Sequence, residues 1–280
     1  MLSLVPTPIG NLDDVSFRAI DRLASAEVFF CEDVRVTKKL LRLLGDRRGV
    51  SFRSRPSFIS LHKRNEKFAL QALDRALFDR PCVYVSDAGM PCASDPGAAL
   101  VDYAIKNEIA YEVLPGANAA VTAFAGSGFS ESRFVFYGFL EARKANARKG
   151  ELEAALKLPF AVIFHESPRR IEGFAALLAD LAPDREIAAF KEMTKLHEKR
   201  YIGLAGGFAK ALETISVKGE WTIAIAPQNS PIANQNEWLI AELRKLSAPI
   251  RPLAKILAKL SGEKSGVWYE RLLQKVGAQR

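Results

Sequence analysis

No apolar run in this 280-residue chain approaches the about 20 residues that a membrane-spanning helix requires. The opening MLSLVPTPIG has no basic stretch followed by a long apolar one, so no secretory signal is read and the chain is expected in the cytoplasm. Cysteine is scarce. Cys31, Cys82 and Cys92 are the only three, the gap between the last two matches no zinc spacing, and three histidines are too few to complete a metal site beside them. A disulfide framework is not expected in a cytoplasmic chain of this length, which leaves reduced thiols in or near the core. The signatures of several chemistries are missing as well. There is no G-x-G-x-x-G after a strand, no G-x-x-x-x-G-K-[ST], no H-E-x-x-H and no G-x-S-x-G. Dinucleotide binding by a standard fingerprint and nucleophilic hydrolysis therefore lack their usual parts. No repeat of solenoid period is present.

What is present begins with charge. The net charge is +8, and residues 35–64 hold all of it. Arg35, Lys38, Lys39, Arg42, Arg47, Arg48, Arg53, Arg55, Lys63 and Arg64 stand there against a single acid, Asp46. A charge block is usually only a solvated face. Concentrating the whole net charge in about a tenth of the chain points to a polyanionic partner.

The length favours two domains and an appendage. Short apolar runs at 2–6, 26–33, 58–61, 81–87 and 110–116 read as buried strands, each closed by polar, proline or glycine residues. Helices are predicted between them. One is capped by Asp13 or Asp14 and runs to Ala24, with Val15, Ala19, Ile20 and Leu23 on one face. Others cover Thr37–Leu44, Asn65–Phe78, Pro96–Asn107 and Ala117–Gly126, with a polar loop at Arg47–Arg55. This alternation predicts a parallel sheet with helices on both faces, over residues 1–128. After Ser130 the pattern is richer in strand: 133–140, 160–168, 185–195, 199–207 and 220–227, with helices at Ala145–Leu156 and Arg169–Leu181. That predicts a second α/β domain, 129–228. The stretch APQNSPIANQNE reads as a linker, and helical sequence from Trp238 to Val276 as a small C-terminal domain within 229–280.

In open parallel sheets ligands bind beyond the carboxyl ends of the strands. TPIGN, CEDVR, SDAGMP and LPGAN all fall at such ends. The loop SDAGMPCASDPG, residues 86–97, alternates proline and glycine closely. Such a loop is stiff and offers backbone N–H and C=O groups, because its side chains are short. That suits a ligand rich in hydrogen-bonding edges, such as an adenine or an amino-acid zwitterion, and Asp87 at the strand tip can accept from a ribose hydroxyl or an ammonium group.

TPIGNL, CEDVR with TKKLL, SDAGMPCASDPG, LPGANAAVTAFAGSG, FYGFL, HESPRR, KEMTKLHE and KGEWTI occur in that order. Together they resemble the ribosomal RNA small subunit methyltransferase I family, within the tetrapyrrole-methylase superfamily, over residues 2 to about 227. The resemblance implies two α/β domains of the class III methyltransferase type, with the cofactor cleft between them and a small helical domain after them. It implies S-adenosylmethionine as cofactor, 2′-O-methylation of a decoding-centre cytidine of 16S ribosomal RNA in the small subunit, and a homodimer. It places the cofactor against Pro8, Asp87, Ala88, Gly89, Met90, Ser94, Asn118 and Phe139. The chain departs from the family pattern at Val34 and Met90, where threonine is usual, in LPGAN for LPGPS, and in HESPRR for YESPHR.

Methyl transfer from a sulfonium needs no metal and no covalent enzyme intermediate. It needs the acceptor oxygen aligned with the methyl group, and a base or cation to ease loss of the hydroxyl proton. Candidates at strand ends are Glu32, Asp33, Arg35, His62, Glu166, Lys191, Glu192 and Lys195. Glu32, Asp33 and Arg35 are the expected catalytic group, directly before the basic block, although a local ion pair anchoring the next helix would look the same. Glu166 and Glu192 are expected to organise the site. RNA contacts are expected from Lys38, Lys39, Arg42, Arg47, Arg48, His62, Lys63 and Arg64, and from a second basic cluster containing Arg143, Lys144, Arg148 and Lys149. A tetrapyrrole methylase and a non-catalytic RNA-binding protein on the same fold are the competing readings.

Overall fold

The computed structural model describes residues 1–228 and 249–274, apart from 63, 131, 143, 262 and 263. Two compact units are present, Met1–Gln228 and Asn229–Arg280. In the first unit the chain runs β1 (Leu2–Leu4), α1 (Phe17–Ser25), β2 (Val28–Cys31), α2 (Val34–Arg48), β3 (Ser57–Ser60), α3 (Glu66–Gln71), β4 (Cys82–Val85), α4 (Ala98–Lys106), β5 (Tyr111–Val113) and α5 (Ala119–Gly126). It continues with β6 (Phe134–Gly138), α6 (Ala145–Leu156), β7 (Ala161–Glu166), α7 (Ile171–Leu181), β8 (Glu186–Lys191), β9 (Lys199–Leu204), α8 (Ala205–Leu212) and β10 (Trp221–Ile225).

Strands β1 to β5 form a five-stranded, wholly parallel sheet in the order β3-β2-β4-β1-β5. Its strands read as unbroken apolar runs because both faces are covered. Phe30, Cys82 and Tyr84 pack with Leu70, Leu100 and Ala104 of α3 and α4, while Phe29, Val83 and Val85 pack on the other face with Ala19, Leu23, Leu41 and Leu44 of α1 and α2. The second sheet, β6-β7-β10-β8-β9, is mixed: β6 and β7 are parallel and the remaining pairs antiparallel. One face packs Phe164, Ile187, Trp221 and Ile223 against Phe174, Leu178 and Phe208 of α7 and α8. The other face receives α5. Ala120 and Ala123 lie against Ile163, Ala188, Phe190 and Ala224, small residues that let helix and sheet approach closely. A Cβ built on Gly126 would stand 3.0 Å from Phe190 Cζ.

Several predicted boundaries shift, each for a local reason. Helix α1 starts later than expected, because Ser16 Oγ accepts from the Ala19 amide and is the cap, while Leu12–Asp14 is a 3-10 turn. Helix α2 is longer at both ends. Asp33 caps it and Gly49, at φ 65°, ends it, so Arg47 and Arg48 are helical rather than in a loop. The predicted helix 65–78 breaks after Gln71, and a 3-10 turn, Arg75–Asp79, replaces its second half under an Asp74 cap. The AGG run after β9, read as strand, opens α8. In the second unit Ile250–Ser261 and Ser265–Gln274 form helices α9 and α10, joined by a cluster of Leu253, Leu257, Trp268 and Leu272. The linker beyond Gln228 and the predicted helix start at Trp238 lie outside the described residues.

Phe174, on α7, is fully buried against Phe164. Phe174→Ala is expected to lower unfolding free energy by about 3–5 kcal/mol in a denaturant titration, with an unchanged slope.

Candidate functional site

The loop 86–97 is fastened at both ends. Gly89 and Thr7 exchange backbone hydrogen bonds, both 3.0 Å, which ties the loop to TPIGN. Gly89 sits at φ 86°, with Ile9 and the Ala117 carbonyl close to where a Cβ would be. At the far end Tyr84 Oη donates to the Pro96 carbonyl at 2.6 Å, and the Gly97 amide donates to Glu66 Oε1 at 2.6 Å. Gly97, at φ 119°, lies against the Tyr84 ring, where any side chain would collide. Between these anchors Cys92 and Ser94 hold left-handed backbone, φ 68° and 71°. Two non-glycine residues in that region mark a loop whose shape is imposed by its surroundings.

This loop forms one wall of a cavity of about 470 Å³ at the carboxyl ends of the first sheet. Glu32, Asp87, Ala88, Gly89, Met90, Ser94, Asn118 and Phe139 of the sequence-predicted residues line it. Pro8 does not, and its neighbour Ile9 does. Asp33 and Arg35 stand beside the cavity. The Asp33 amide donates to Asp87 Oδ1 at 3.1 Å. Asp33 is itself gripped by Arg35, with Nη2 to Oδ2 at 2.6 Å and Nε to Oδ1 at 3.1 Å, and also caps α2. The arginine's side-chain and backbone hydrogen bonds hold the Asp33 carboxyl at about 2. Burial pushes Asp87 the other way, above the usual carboxylate range, and the charge of Asp33 adds to this. The Asp33 amide and Arg35 offset that rise in part.

The basic block is less concentrated in space than in sequence. Arg47 and Arg48 share Asp13 at 2.8 and 2.7 Å, Arg53 meets Glu27 at 2.7 Å, and Arg42 lies 3.7 Å from Asp46. Lys38 lies over the Phe58 ring. Lys38, Lys39, Arg42, Arg47, Arg48 and Arg64 are nonetheless exposed, and all but Arg64 lie on α2, which starts at the cavity edge. His62 is half-buried; its backbone amide donates to Asn65 Oδ1, and the residue does not line the cavity. Of the second basic cluster, Lys144 is exposed, but Arg148 and Lys149 are committed within the protein to Glu166 and Asp180. Lys63 and Arg143 lie outside the described residues.

The opposite wall comes from the second sheet, and sequence reasoning missed most of it. Phe136, His165, Met193, Glu220, Trp221 and Thr222 line the cavity. Glu220 to Thr222 lie at the amino end of β10, which antiparallel pairing brings beside the carboxyl ends of β7 and β8. Nothing in the sequence states that direction. His165 carried a legible signal, as the polar residue in AVIFHE that shares a face with Ile163. Its Nδ1 lies 3.1 Å from Thr222 Oγ1, and burial holds its pKa below the ordinary value against the charge of Glu220. Next to it Glu166, 1% exposed, receives Arg148 at 3.0 Å and Arg170 at 2.7 Å, and its Oε1 accepts from the Ser167 amide. Both Glu166 oxygens are thus taken up in organising the wall, and the residue also lines the cavity. Glu192, at φ 51°, plays the same part across the KEMTK turn. Its Oε1 accepts from Lys195 and from the Glu220 amide, and Gly219 leaves the space it occupies. Burial pushes Glu192 up, but the Glu220 amide and Lys195 outweigh it and the net shift is downward. Lys191 is buried at the end of β8 in register with Trp221. The same turn clasps TPIGN, the Asn11 amide donating to Thr194 Oγ1 at 3.0 Å.

Two α/β sheets around a cleft at strand ends define the methylase fold of the tetrapyrrole type. The family model for Tetrapyrrole (Corrin/Porphyrin) Methylases matches residues 1–209. A crystal structure of diphthine synthase aligns with a TM-score of 0.58 at 14% identity, over 80% of this chain and 89% of that one. Uroporphyrin-III C-methyl transferase from Thermus thermophilus, complexed with S-adenosyl homocysteine, aligns at 0.54 and 16% identity, over 80% and 96%. Proteins named ribosomal RNA small subunit methyltransferase I are far more similar. That of Campylobacter fetus is 39% identical over 98% of this chain and all of its own length, and that of Helicobacter pylori strain 26695 is 37% identical over 98% and 99%. The one from Bacillus subtilis is 36% identical over 85% and 78%. The chain belongs to the ribosomal RNA small subunit methyltransferase I family, a family of S-adenosylmethionine-dependent methyltransferases. Among the described residues no helix is long and apolar enough to cross a membrane.

Two outcomes follow from this geometry. Glu166→Gln leaves Arg148 and Arg170 without their shared charge and is expected to cost about 3 kcal/mol in chemical unfolding. An unfolded imidazole titrates near about 6.5, and His165 titrates lower when folded. Between those values the unfolded chain binds more protons, so stability falls as pH drops through that window. Melting temperatures scanned from about pH 7 to about pH 5 should decline in the wild type and decline less in His165→Phe.

Proposed function

We propose that this chain transfers a methyl group from S-adenosylmethionine to the 2′ hydroxyl of a decoding-centre cytidine in small-subunit 16S ribosomal RNA. The observation that carries the reading is the junction at Glu32 and Asp33. Glu32 lines the cavity, Asp33 is hydrogen-bonded to Asp87, and the exposed cations of α2 begin two residues further on. A phosphate backbone tracked by Arg35, Lys38, Lys39 and Arg42 would bring a ribose to the cavity mouth, and such binding weakens as salt rises. The names of the relatives at 36–39% identity support RNA over a tetrapyrrole as the acceptor.

The residues present fit the donor. The cavity offers the backbone of Ala88, Gly89 and Met90, the side chains of Asp87, Ser94 and Asn118, and an aromatic wall at Phe139. Asp87 would hold an ammonium or ribose group, and the pinned loop would hold the rest through main-chain atoms. When bound, the donor supplies a sulfonium methyl group that passes to an oxygen without metal or covalent enzyme chemistry. The chain's own work is alignment of the acceptor and removal of its proton. Glu32, a carboxylate of the cavity lining next to the start of α2, would receive that proton. Asp33, held at about 2 by Arg35, is too weak a base and serves to position Asp87 and cap α2. Residues 1–128 and 129–228 act as the two lobes of the cleft and 229–280 as an appended helical domain. The protein works as a homodimer in the cytoplasm.

The reading is tested by mapping 2′-O-methylation on small-subunit RNA from cells lacking this protein, and from the same cells supplied with wild type or Glu32→Gln. The modification should vanish, return with the wild type, and in purified assays form about a hundredfold more slowly with Glu32→Gln. A modification pattern indifferent to the protein would sink the reading; a wild-type rate in Glu32→Gln would remove Glu32 as the base.

A further inference from the structure

One part of the cavity wall has a polar atom that the protein leaves for something else. His165 sits on the α5-facing side of β7, near the end of the strand. The ring of Phe136 meets the imidazole edge-on, with centroids 4.9 Å apart at 67°, and Phe139 lies tilted at 5.6 Å. Both phenylalanines line the cavity with it. Phe139 is 44% exposed, a large apolar ring left open at the cavity mouth. It is not free to wander: the Arg170 guanidinium stands 5.8 Å from its centroid, and Arg170 is itself held by buried Glu166 and donates to the Leu140 carbonyl. The result is an aromatic patch around the imidazole, with Phe139 held in place. Within it, His165 uses Nδ1 with Thr222, and among the described residues Nε2 has no protein partner. A neutral imidazole offers one polar atom at each nitrogen, and the proton arrangement at Nδ1 sets whether Nε2 donates or accepts.

The two walls differ in kind. The loop side carries carboxylates, at Glu32 and Asp87, and backbone groups suited to charged or sugar parts of a ligand. The second-sheet side adds flat apolar surface, at Phe136 and Phe139 around the imidazole, to the polar groups of Glu166, Glu220 and Thr222. A heteroaromatic ring fits that description: its faces lie against Phe136 and Phe139, and its edge alternates donors and acceptors. We infer that His165 reads a nucleobase edge through Nε2, with Phe136 and Phe139 as the stacking walls and Thr222 as the group that orients the imidazole. The inference rests on the reading of the chain as an S-adenosylmethionine-dependent RNA methyltransferase, which brings two nucleobases to the cleft, the adenine of the donor and the base of the acceptor nucleotide.

The test separates those sources. S-adenosylhomocysteine is titrated calorimetrically into the wild type, His165→Phe and His165→Gln, after thermal melts confirm that each is folded, and KM for small subunits is measured in parallel. His165→Phe keeps the aromatic area and removes the nitrogen; His165→Gln returns an amide near the place of Nε2. If His165 reads adenine, the Kd for S-adenosylhomocysteine rises roughly tenfold in His165→Phe, the size of one hydrogen bond, recovers in part in His165→Gln, and KM for subunits holds. If it reads the acceptor's base, KM rises by a similar factor while the Kd holds. Wild-type values of both constants in both variants overturn the inference and leave the proposed function standing. A wild-type chain that binds no S-adenosylhomocysteine overturns that function and this inference with it.

Discussion

Helix α5 belongs by sequence to the first parallel sheet, yet its side chains are spent on the second. Ala120, Ala123 and Gly126 present almost no bulk, and Ala188 and Ala224 present as little from the strands they meet. Close approach of a helix to a sheet depends on such small residues, because dispersion forces fall off steeply with distance. Asn118 and Ala119, where α5 begins, line the same cavity as Asp87 of the first sheet's edge and His165 of the second sheet, so the helix joins the two sheets at the site.

Around that contact the cleft is built from two different materials. The first-sheet wall is backbone held in unusual conformations, with Gly89, Cys92, Ser94 and Gly97 at positive φ and anchors at Thr7, Tyr84 and Glu66. Hydrogen bonds to main chain recognise hydrogen-bonding pattern more than size. The second-sheet wall is side chain, with Phe139 held under Arg170, which the buried Glu166 fixes together with Arg148. Breaking a buried ion cluster costs more than forming it gains, so Glu166 acts as a constraint on geometry more than as a source of stability. The KEMTK turn joins the walls, reaching Glu220 on one side and TPIGN on the other. Its left-handed Glu192 and Thr194 are strained positions of the kind that cluster at binding sites.

Charge illustrates how sequence can overstate a feature. Residues 35–64 look like an almost pure cationic segment, but Asp13, Glu27 and Asp33 come from outside it and pair with Arg47, Arg48, Arg53 and Arg35. Arg148, which reads as part of a second cationic patch, is the partner of a buried carboxylate. What remains on α2 is a more restricted positive surface next to the cavity edge. Exposed ion pairs are weak and exchangeable, so arginines paired with Asp13 or Asp46 can still turn to a phosphate.

The residues alone were enough for the alternation of strands and helices over the first half of the chain, the parallel first sheet, and the strand-end edge where SDAGMP, CEDVR and LPGAN line one cavity, because periodicity and turn chemistry are local properties. Local chemistry also foretold, in one of its two readings, the ion pair of Asp33 and Arg35 at the start of α2, and the stiffness of the loop 86–97. Tertiary structure decided what depends on distant partners. It set the antiparallel entry of β10 that brings Glu220, Trp221 and Thr222 to the cavity, the burial of Glu166 between two arginines, and the neutralisation of much of the basic block. It also left His165, in the cavity wall, with Nδ1 bound to Thr222 and no protein partner at Nε2 among the described residues. Strand direction and the identity of an ionic partner are set by contacts between residues far apart in the chain, and no window of sequence contains both members of such a pair.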